Sequence, residues 1–297
     1  MHYADYKTIL SAKNGMNVYR GCTHGCIYCD SRSDCYQINH DFEDVEVKRD
    51  AVAILAAQLK RRRSPCMVST GAMSDPYLPL ERELEVTRGC LEQIDKHGFG
   101  VSILTKSDLI LRDLDLIAAI NAKTKCVVQT TLTTHDEELC GIVEPLAPGT
   151  RRRFEVLMAM REARVPAAVW LCPTLPFIND TPENLKGILD YCFEAGVVGI
   201  MNFGFGLTLR NGDREYFYDR LDDFFPGLRP LYERTFGQGY ECLSPNAAKL
   251  EEIFQDRCRR HGVLSRPEEV FAYLGAFENK RRTPSLFQVP RPPSPGS

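Results

Sequence analysis

No stretch of this chain stays apolar for long enough to cross a bilayer: the most hydrophobic run, Ala167 to Phe177, is short and broken by Pro173 and Pro176. The opening MHYADYKTIL lacks the basic-then-apolar layout of a secretion signal, so a cytoplasmic protein without membrane contact is expected. Charge of one sign is also lacking. Lys plus Arg number 37 against 40 Asp plus Glu, and a net charge of −3 supplies no global field for DNA, RNA or acidic lipid. Any nucleic-acid contact must be local. There is no internal repeat and no low-complexity segment before the closing PRPPSPGS.

Cysteine is abundant, with twelve among 297 residues. In an unsecreted chain the thiol pool keeps such residues reduced, which excludes a disulfide framework and favours thiolate ligation of a metal.

From about residue 50, helix-period and strand-like blocks alternate: AVAILAAQLKRRR then CMVST, LEVTRGCLEQIDKH then GVSILTKS, DLDLIAAINA then CVVQTTL. The rhythm continues through RRRFEVLMAMREARV, AAVWLCPT, PENLKGILDYCFEAG and VVGIMNFGF. With a strand near Gly15 to Tyr19, this makes about six β/α units. The strands are continuous apolar runs, as expected where both faces of a parallel sheet are covered. The expected fold is therefore α/β, a partial (β/α)6 TIM-type barrel over residues 1–206. Aromatic, charge-rich helices then suggest a C-terminal helical cap over 207–283, and a disordered tail over 284–297.

The strongest local signal is N-V-Y-R-G-C-T-H-G-C-I-Y-C-D, which places Cys22, Cys26 and Cys29 on a glycine-containing loop just after the first predicted strand. Three such thiolates suit three irons of a [4Fe–4S] cube, and no fourth cysteine follows at ferredoxin-like spacing. An open iron can chelate a small molecule, whereas an electron carrier is normally fully ligated by protein. The alternatives are a zinc site completed by His24 or Cys35, or simple core thiols.

The C-x3-C-x2-C pattern with aromatic Tyr28 before the last cysteine resembles the radical SAM superfamily. The wider motifs YRGC-x-HGCIYC, SDPYLPLE, TKSDLILRDLDL, TTHDEELCGIVEPLAP and CPTLPFIND resemble its spore photoproduct lyase-like subfamily over about residues 15–205. The resemblance implies a [4Fe–4S] cluster and S-adenosyl-L-methionine as cofactors. An external one-electron reductant such as flavodoxin or ferredoxin would drive cleavage to methionine and a 5′-deoxyadenosyl radical.

Residue by residue, the resemblance places Tyr28 beside the adenine or the cluster; an ordinary loop aromatic is the alternative. Ser74 and Asp75 stand where the superfamily holds the cofactor's amino group, or else they turn the chain into a helix over residues 82–97. Lys106 would pair with the cofactor carboxylate. Thr130 and Thr131 would contact ribose or methionine, and Thr174 and Asn202 the adenine. The polar run His135 to Glu138 reads as a helix cap. Lys60 to Arg63, Arg151 to Arg153 and Lys280 to Arg282 would matter to a phosphate chain only if they converged on one face.

One departure bears on the reaction. The subfamily's hydrogen-donor cysteine stands two residues before the Ser-Asp pair, and here that position is Ala72, which has no S–H to offer. Authentic dimer-lyase activity is not expected; Cys35 is a substitute thiol to consider. Three functions stay open: a radical SAM enzyme acting on nucleic acid, one modifying a peptide or metabolite, and a non-enzymatic iron–sulfur electron carrier or regulator.

Overall fold

The computed structural model describes residues 1–280. The tail expected over 284–297, and the last residues of the expected cap, lie outside them. The chain opens with β1 (His2–Ala4), β2 (Gly15–Met16), β3 (Tyr19–Arg20) and β4 (Glu46–Lys48), then helix α1 (Ala51–Arg61). Next come β5 (Met67–Thr70), α2 (Glu81–Leu84), α3 (Val86–His97), β6 (Gly100–Leu104), α4 (Leu114–Lys123) and β7 (Cys126–Thr131). They are followed by α5 (Glu137–Val143), α6 (Thr150–Glu162), β8 (Ala167–Trp170), α7 (Pro182–Ala195) and β9 (Gly199–Met201). A hairpin of β10 (Gly206–Thr208) and β11 (Glu241–Leu243) encloses α8 (Asp213–Phe224) and α9 (Leu228–Phe236). Helices α10 (Ala247–His261) and α11 (Pro267–Gly275) close the described chain.

Six strands form one sheet in the order β2-β5-β6-β7-β8-β9, and every pairing is parallel. Spatial order therefore follows chain order, each strand being returned to the same end by a helix, as parallel pairing requires. The helices bury one stripe against the sheet: Ala51, Leu55 and Leu59 of α1 recur every four residues and are buried. Helix α7 starts at Thr181, whose side chain accepts from the Asn184 amide with Pro182 in the first turn, and stops at left-handed Gly196.

Two elements differ from the sequence expectation. The strand expected over Gly15 to Tyr19 divides: β2 joins the large sheet, while β3 pairs antiparallel with β4 in a separate sheet ordered β1-β4-β3. The helix expected over 82–97 breaks at Glu85, whose φ of 49° is left-handed. Buried Glu81 explains the break. Its carboxylate accepts the Thr87 amide at 3.0 and 3.1 Å and is bound by Arg112 at 3.0 Å, and it also receives the Tyr19 hydroxyl. It thus caps the start of α3 from outside.

Most buried apolar side chains form one core between sheet and helices, which also takes in Leu250, Phe254 and Cys258 of α10. A second cluster unites Cys26, Ile27 and Tyr28 with Leu207, Phe217, Leu221 and Tyr232. The segment after β10 is thus packed directly onto the cysteine loop. No helix among the described residues is long and apolar enough to cross a membrane.

Candidate active site

At the carboxyl ends of the parallel strands, where ligand sites form in such sheets, lies a cavity of about 650 Å³. The loop after β5 contributes Gly71 to Asp75, β6 leads to Thr105 and Lys106, β7 ends in Thr131, and Cys172 and Phe203 follow β8 and β9. The cysteine loop forms one wall with Cys22, Cys26, Tyr28 and Cys29.

That loop is held at fixed points. Gly21 has φ +88°, and a Cβ there would stand 2.5 Å from the Phe42 carbonyl oxygen, so only glycine allows the approach. The Cys22 amide donates to the same oxygen at 2.9 Å, the Ile27 amide to Val143 at 3.0 Å, and the Leu146 amide to the His24 carbonyl at 3.1 Å. Burial pushes all three thiols up, Cys26 to about 12, with the Lys106 cation partly opposing this at Cys26 and Cys29. A bound cation must therefore displace their protons.

The three thiols are not gathered closely enough to hold a single ion as they stand. One zinc at about 2.3 Å from each sulfur would need the sulfurs within roughly 4.6 Å of one another. Among the described residues, donor atoms converge within 4.8 Å only at His2, His40 and Asp44. The three cysteine sulfurs do not all lie within that distance of one another, a spacing compatible with ligation of separate irons.

Lys106 carries the cavity's cation. Burial disfavours its charge, but the thiolate form of Cys26, as a ligand would have it, and the Glu144 carboxylate more than offset this and favour the ammonium. Its Nζ lies 5.7 Å from the centroid of the Tyr28 ring and has no carboxylate within 4.0 Å among the described residues. An ammonium so placed is free to bind an anionic ligand.

Ser74 and Asp75 line the same cavity but also serve the scaffold. The Ser74 hydroxyl donates to the Gly21 carbonyl. Asp75 accepts from the Tyr77 amide at 2.8 Å, Thr105 Oγ1 at 2.6 Å and the Lys106 amide at 2.8 Å, with His24 Nε2 at 3.0 Å. Burial alone would raise its carboxyl, yet His24, Thr105 and the Lys106 amide hold it below the usual range. It thereby locks three loops together.

Behind the cavity wall, Tyr28 donates its hydroxyl to Glu144, which pairs with Arg153. Arg153 also donates to the Thr131 carbonyl at 2.8 Å and the Pro148 carbonyl at 2.7 Å. Arg153 is buried with Glu144 and so is not part of a solvated basic cluster.

Of the residues singled out from the sequence, the fold brings Cys22, Cys26, Tyr28, Cys29, Ser74, Asp75, Lys106 and Thr131 to one cavity. Thr130, Thr174 and Asn202 are buried but do not line it. Strand alternation turns Thr130 away from the face that shows Thr131, and the Thr174 amide instead braces β10 through the Gly206 carbonyl at 3.0 Å. Cys35 lies outside the cavity and touches Arg210 at 3.2 Å, whereas Cys172 lines it. Asp136 caps α5, as expected of that polar run. Sequence reasoning missed Trp170, Phe203, Leu207, Tyr240, Glu241 and Leu243. Trp170 was readable as a strand-end aromatic; the last four arrive only through the hairpin.

The model of the Radical SAM superfamily matches residues 16–192. The uncharacterized protein Rv2578c of Mycobacterium tuberculosis (strain ATCC 25618 / H37Rv) is 33% identical over 232 residues, covering 75% of this chain and 67% of that one. The uncharacterized protein MJ0683 of Methanocaldococcus jannaschii is 31% identical over 174 residues, covering 58% and 64%. Among solved structures, spore photoproduct lyase complexed with dinucleoside spore photoproduct superposes with a TM-score of 0.58 at 13% identity, covering 84% of this chain and 74% of that one. Streptococcus suis SuiB bound to precursor peptide SuiA gives 0.50 at 14% identity, covering 89% and 48%. These structures share the fold, and the family match spans more than half the sequence: the chain belongs to the radical SAM superfamily.

Proposed function

We propose that the chain is a radical SAM enzyme that binds the family's [4Fe–4S] cluster through Cys22, Cys26 and Cys29 and holds S-adenosylmethionine in the adjoining cavity. The observation that carries this reading is the facing of three thiols and one carboxylate-free ammonium, Lys106, across a single cavity. When bound, cluster and cofactor supply reductive carbon–sulfur cleavage to a 5′-deoxyadenosyl radical, with electrons from an external reductant of the flavodoxin or ferredoxin kind. We read the six-stranded sheet as a partial (β/α)6 barrel, and the segment from 207 to 280 as its helical cap.

The protein's own part is positional. Lys106 would receive the methionine carboxylate, Asp75 fixes the lysine through its own amide and the Thr105 hydroxyl, and Tyr28, held by Glu144, would sit beside the cluster. Trp170, Phe203, Leu207 and Leu243 give the outer cavity an apolar rim, on which Phe203 and Leu243 are more than half exposed at the mouth. A pure electron carrier has no use for such a chamber. Lys106→Met should raise the dissociation constant for S-adenosylmethionine about tenfold or more, the loss of one charge-assisted contact. Iron content should stay unchanged. Equilibrium binding of the cofactor to reconstituted protein checks this, and unaltered affinity would remove Lys106 from the site.

For the substrate, charge favours a neutral or cationic molecule, such as a peptide segment, over a nucleic-acid strand. Asp30, Asp75 and Glu241 line the cavity against the single cation Lys106. The basic clusters do not converge on it. Lys60 and Arg61 end α1, which leads to the amino end of β5, away from the cavity. Arg152 is engaged by Asp108 and Glu155, and Lys280 binds the Asn121 carbonyl; Arg281 and Arg282 lie outside the described residues. Edge geometry supports the peptide reading. In the β10–β11 pairing the Leu209 amide bonds Tyr240 and the Ser244 amide bonds Phe205, so the alternate residues Glu241 and Leu243 turn their backbone groups outward beside the cavity. Single-stranded oligonucleotide binding should be weak and nearly independent of salt; a steep salt dependence would restore the nucleic-acid reading. Ala72 lines the cavity without a thiol, so repair of a thymine dimer by the subfamily route is not expected.

A further inference from the structure

Outside the cavity, the N-terminal sheet gathers two imidazoles and a carboxylate. His2 stands on β1, Asp44 just precedes β4, and His40 lies in the loop between Tyr36 and β4; one donor atom from each falls within 4.8 Å of the others. The rings of His2 and His40 meet edge to face with centroids 4.8 Å apart.

The tautomer of His40 is fixed by its neighbour. Its Nδ1 lies 2.9 Å from the Asp41 carbonyl oxygen, which can only accept, so Nδ1 carries the proton. Nε2 is therefore left with a lone pair. That atom is buried and has no hydrogen-bond partner among the described residues. A buried acceptor without a donor is costly, and an imidazole that donates one nitrogen to a backbone carbonyl while presenting the other is the arrangement of a metal-bound histidine. The other members are held in place: His2 Nδ1 is 2.9 Å from Asp44 Oδ2, and the Met1 amine is 2.8 Å from Asp44 Oδ1. Glu46, 3.8 Å from His2 Nε2 and bonded by the Tyr6 hydroxyl, adds negative charge beside the group.

We propose that His2, His40 and Asp44 form a binding site for a zinc-class divalent cation. Two imidazole nitrogens and one carboxylate oxygen match the donor preference of such ions and leave a fourth position for water. The site lies on the loop that also carries Phe42, whose carbonyl receives the Cys22 amide. An ion here ties β1 to that loop, and so steadies the backbone on which Cys22 is mounted. The site does not depend on the chemistry assigned to the cavity.

The test uses untagged, cluster-reconstituted protein titrated with Co²⁺ and then Zn²⁺. One equivalent of Co²⁺ should give ligand-field absorption without sulfur-to-cobalt charge transfer, and Zn²⁺ should displace it. His40→Ala and His2→Ala should each weaken binding at least tenfold while iron content and far-ultraviolet circular dichroism stay at wild-type level. Zn²⁺ should raise the thermal midpoint of the wild type and not of His40→Ala. Cobalt spectra dominated by thiolate charge transfer, binding unmoved by His40→Ala, or no binding near about 10 μM, an affinity structural zinc sites readily exceed, would each overturn the proposal.

Discussion

Cys26→Ala is expected to abolish 5′-deoxyadenosine formation and to lower the iron bound after anaerobic reconstitution, and Cys22→Ala and Cys29→Ala to do the same. Cys35→Ala and Cys172→Ala should keep wild-type iron. The contrast follows from placement. Cys22, Cys26 and Cys29 share the loop pinned by Phe42, Val143 and the Gly21 turn, and each of the three is electrostatically coupled to at least one of the others. Cys172 is governed by burial and by Lys106 and by none of the three loop cysteines, and Cys35 contacts Arg210. If the three are the iron ligands proposed, removing one leaves a cluster that water or exogenous thiol must complete, so the loss of turnover should exceed the loss of iron. Iron analysis, electron paramagnetic resonance of the reduced protein with and without S-adenosylmethionine, and chromatography of the products measure all of this together. Full turnover in Cys26→Ala would sink the assignment. Iron retained only in Cys35→Ala and Cys172→Ala would fix the ligand set.

What was legible in the sequence was what is local. The eight residues from Cys22 to Cys29 carry the family's mark in their spacing, and continuous apolar runs such as CVVQTT identify strands covered on both faces. Residues whose roles come from distant partners were not legible. The Tyr19 hydroxyl reaches Glu81, sixty-two positions on, and Glu81 in turn caps α3, so that the helix expected over 82–97 breaks at Glu85. The choice between Thr130 and Thr131 turned on a one-residue register, which a run of uniformly buried residues does not reveal. Tyr240 and Leu243 reach the cavity only because β11 folds back onto β10. Arg151 to Arg153 looked like one solvated run, yet the third member turns inward to a carboxylate.

That inward pair should show the largest effect on stability. Glu144 and Arg153 are each about 1% exposed, so Glu144→Ala leaves a guanidinium in the interior with two carbonyls and a weak contact to Cys140, and no counter-charge. Breaking a buried pair from one side typically costs about 3–5 kcal/mol. Denaturant unfolding of the cluster-free protein should show a loss of that order. Replacing both partners, Glu144→Leu with Arg153→Met, should recover part of it, because the stranded charge is gone while the Tyr28 hydroxyl and the Thr131 and Pro148 carbonyls stay unpaired. Burial alone would raise the Glu144 carboxyl, but Arg153, Lys106 and the Tyr28 hydroxyl bring it below the usual carboxylate range. The pair's contribution is thus fully present above the unfolded carboxylate value and is lost as pH falls through the lowered folded one. The double variant should lack that acid dependence. It should also bind S-adenosylmethionine more weakly than wild type despite its partly recovered stability, since Tyr28 loses its acceptor and the Thr131 carbonyl its donor at the cavity wall. Equal affinity in wild type and double variant would mean that the pair supports the fold alone.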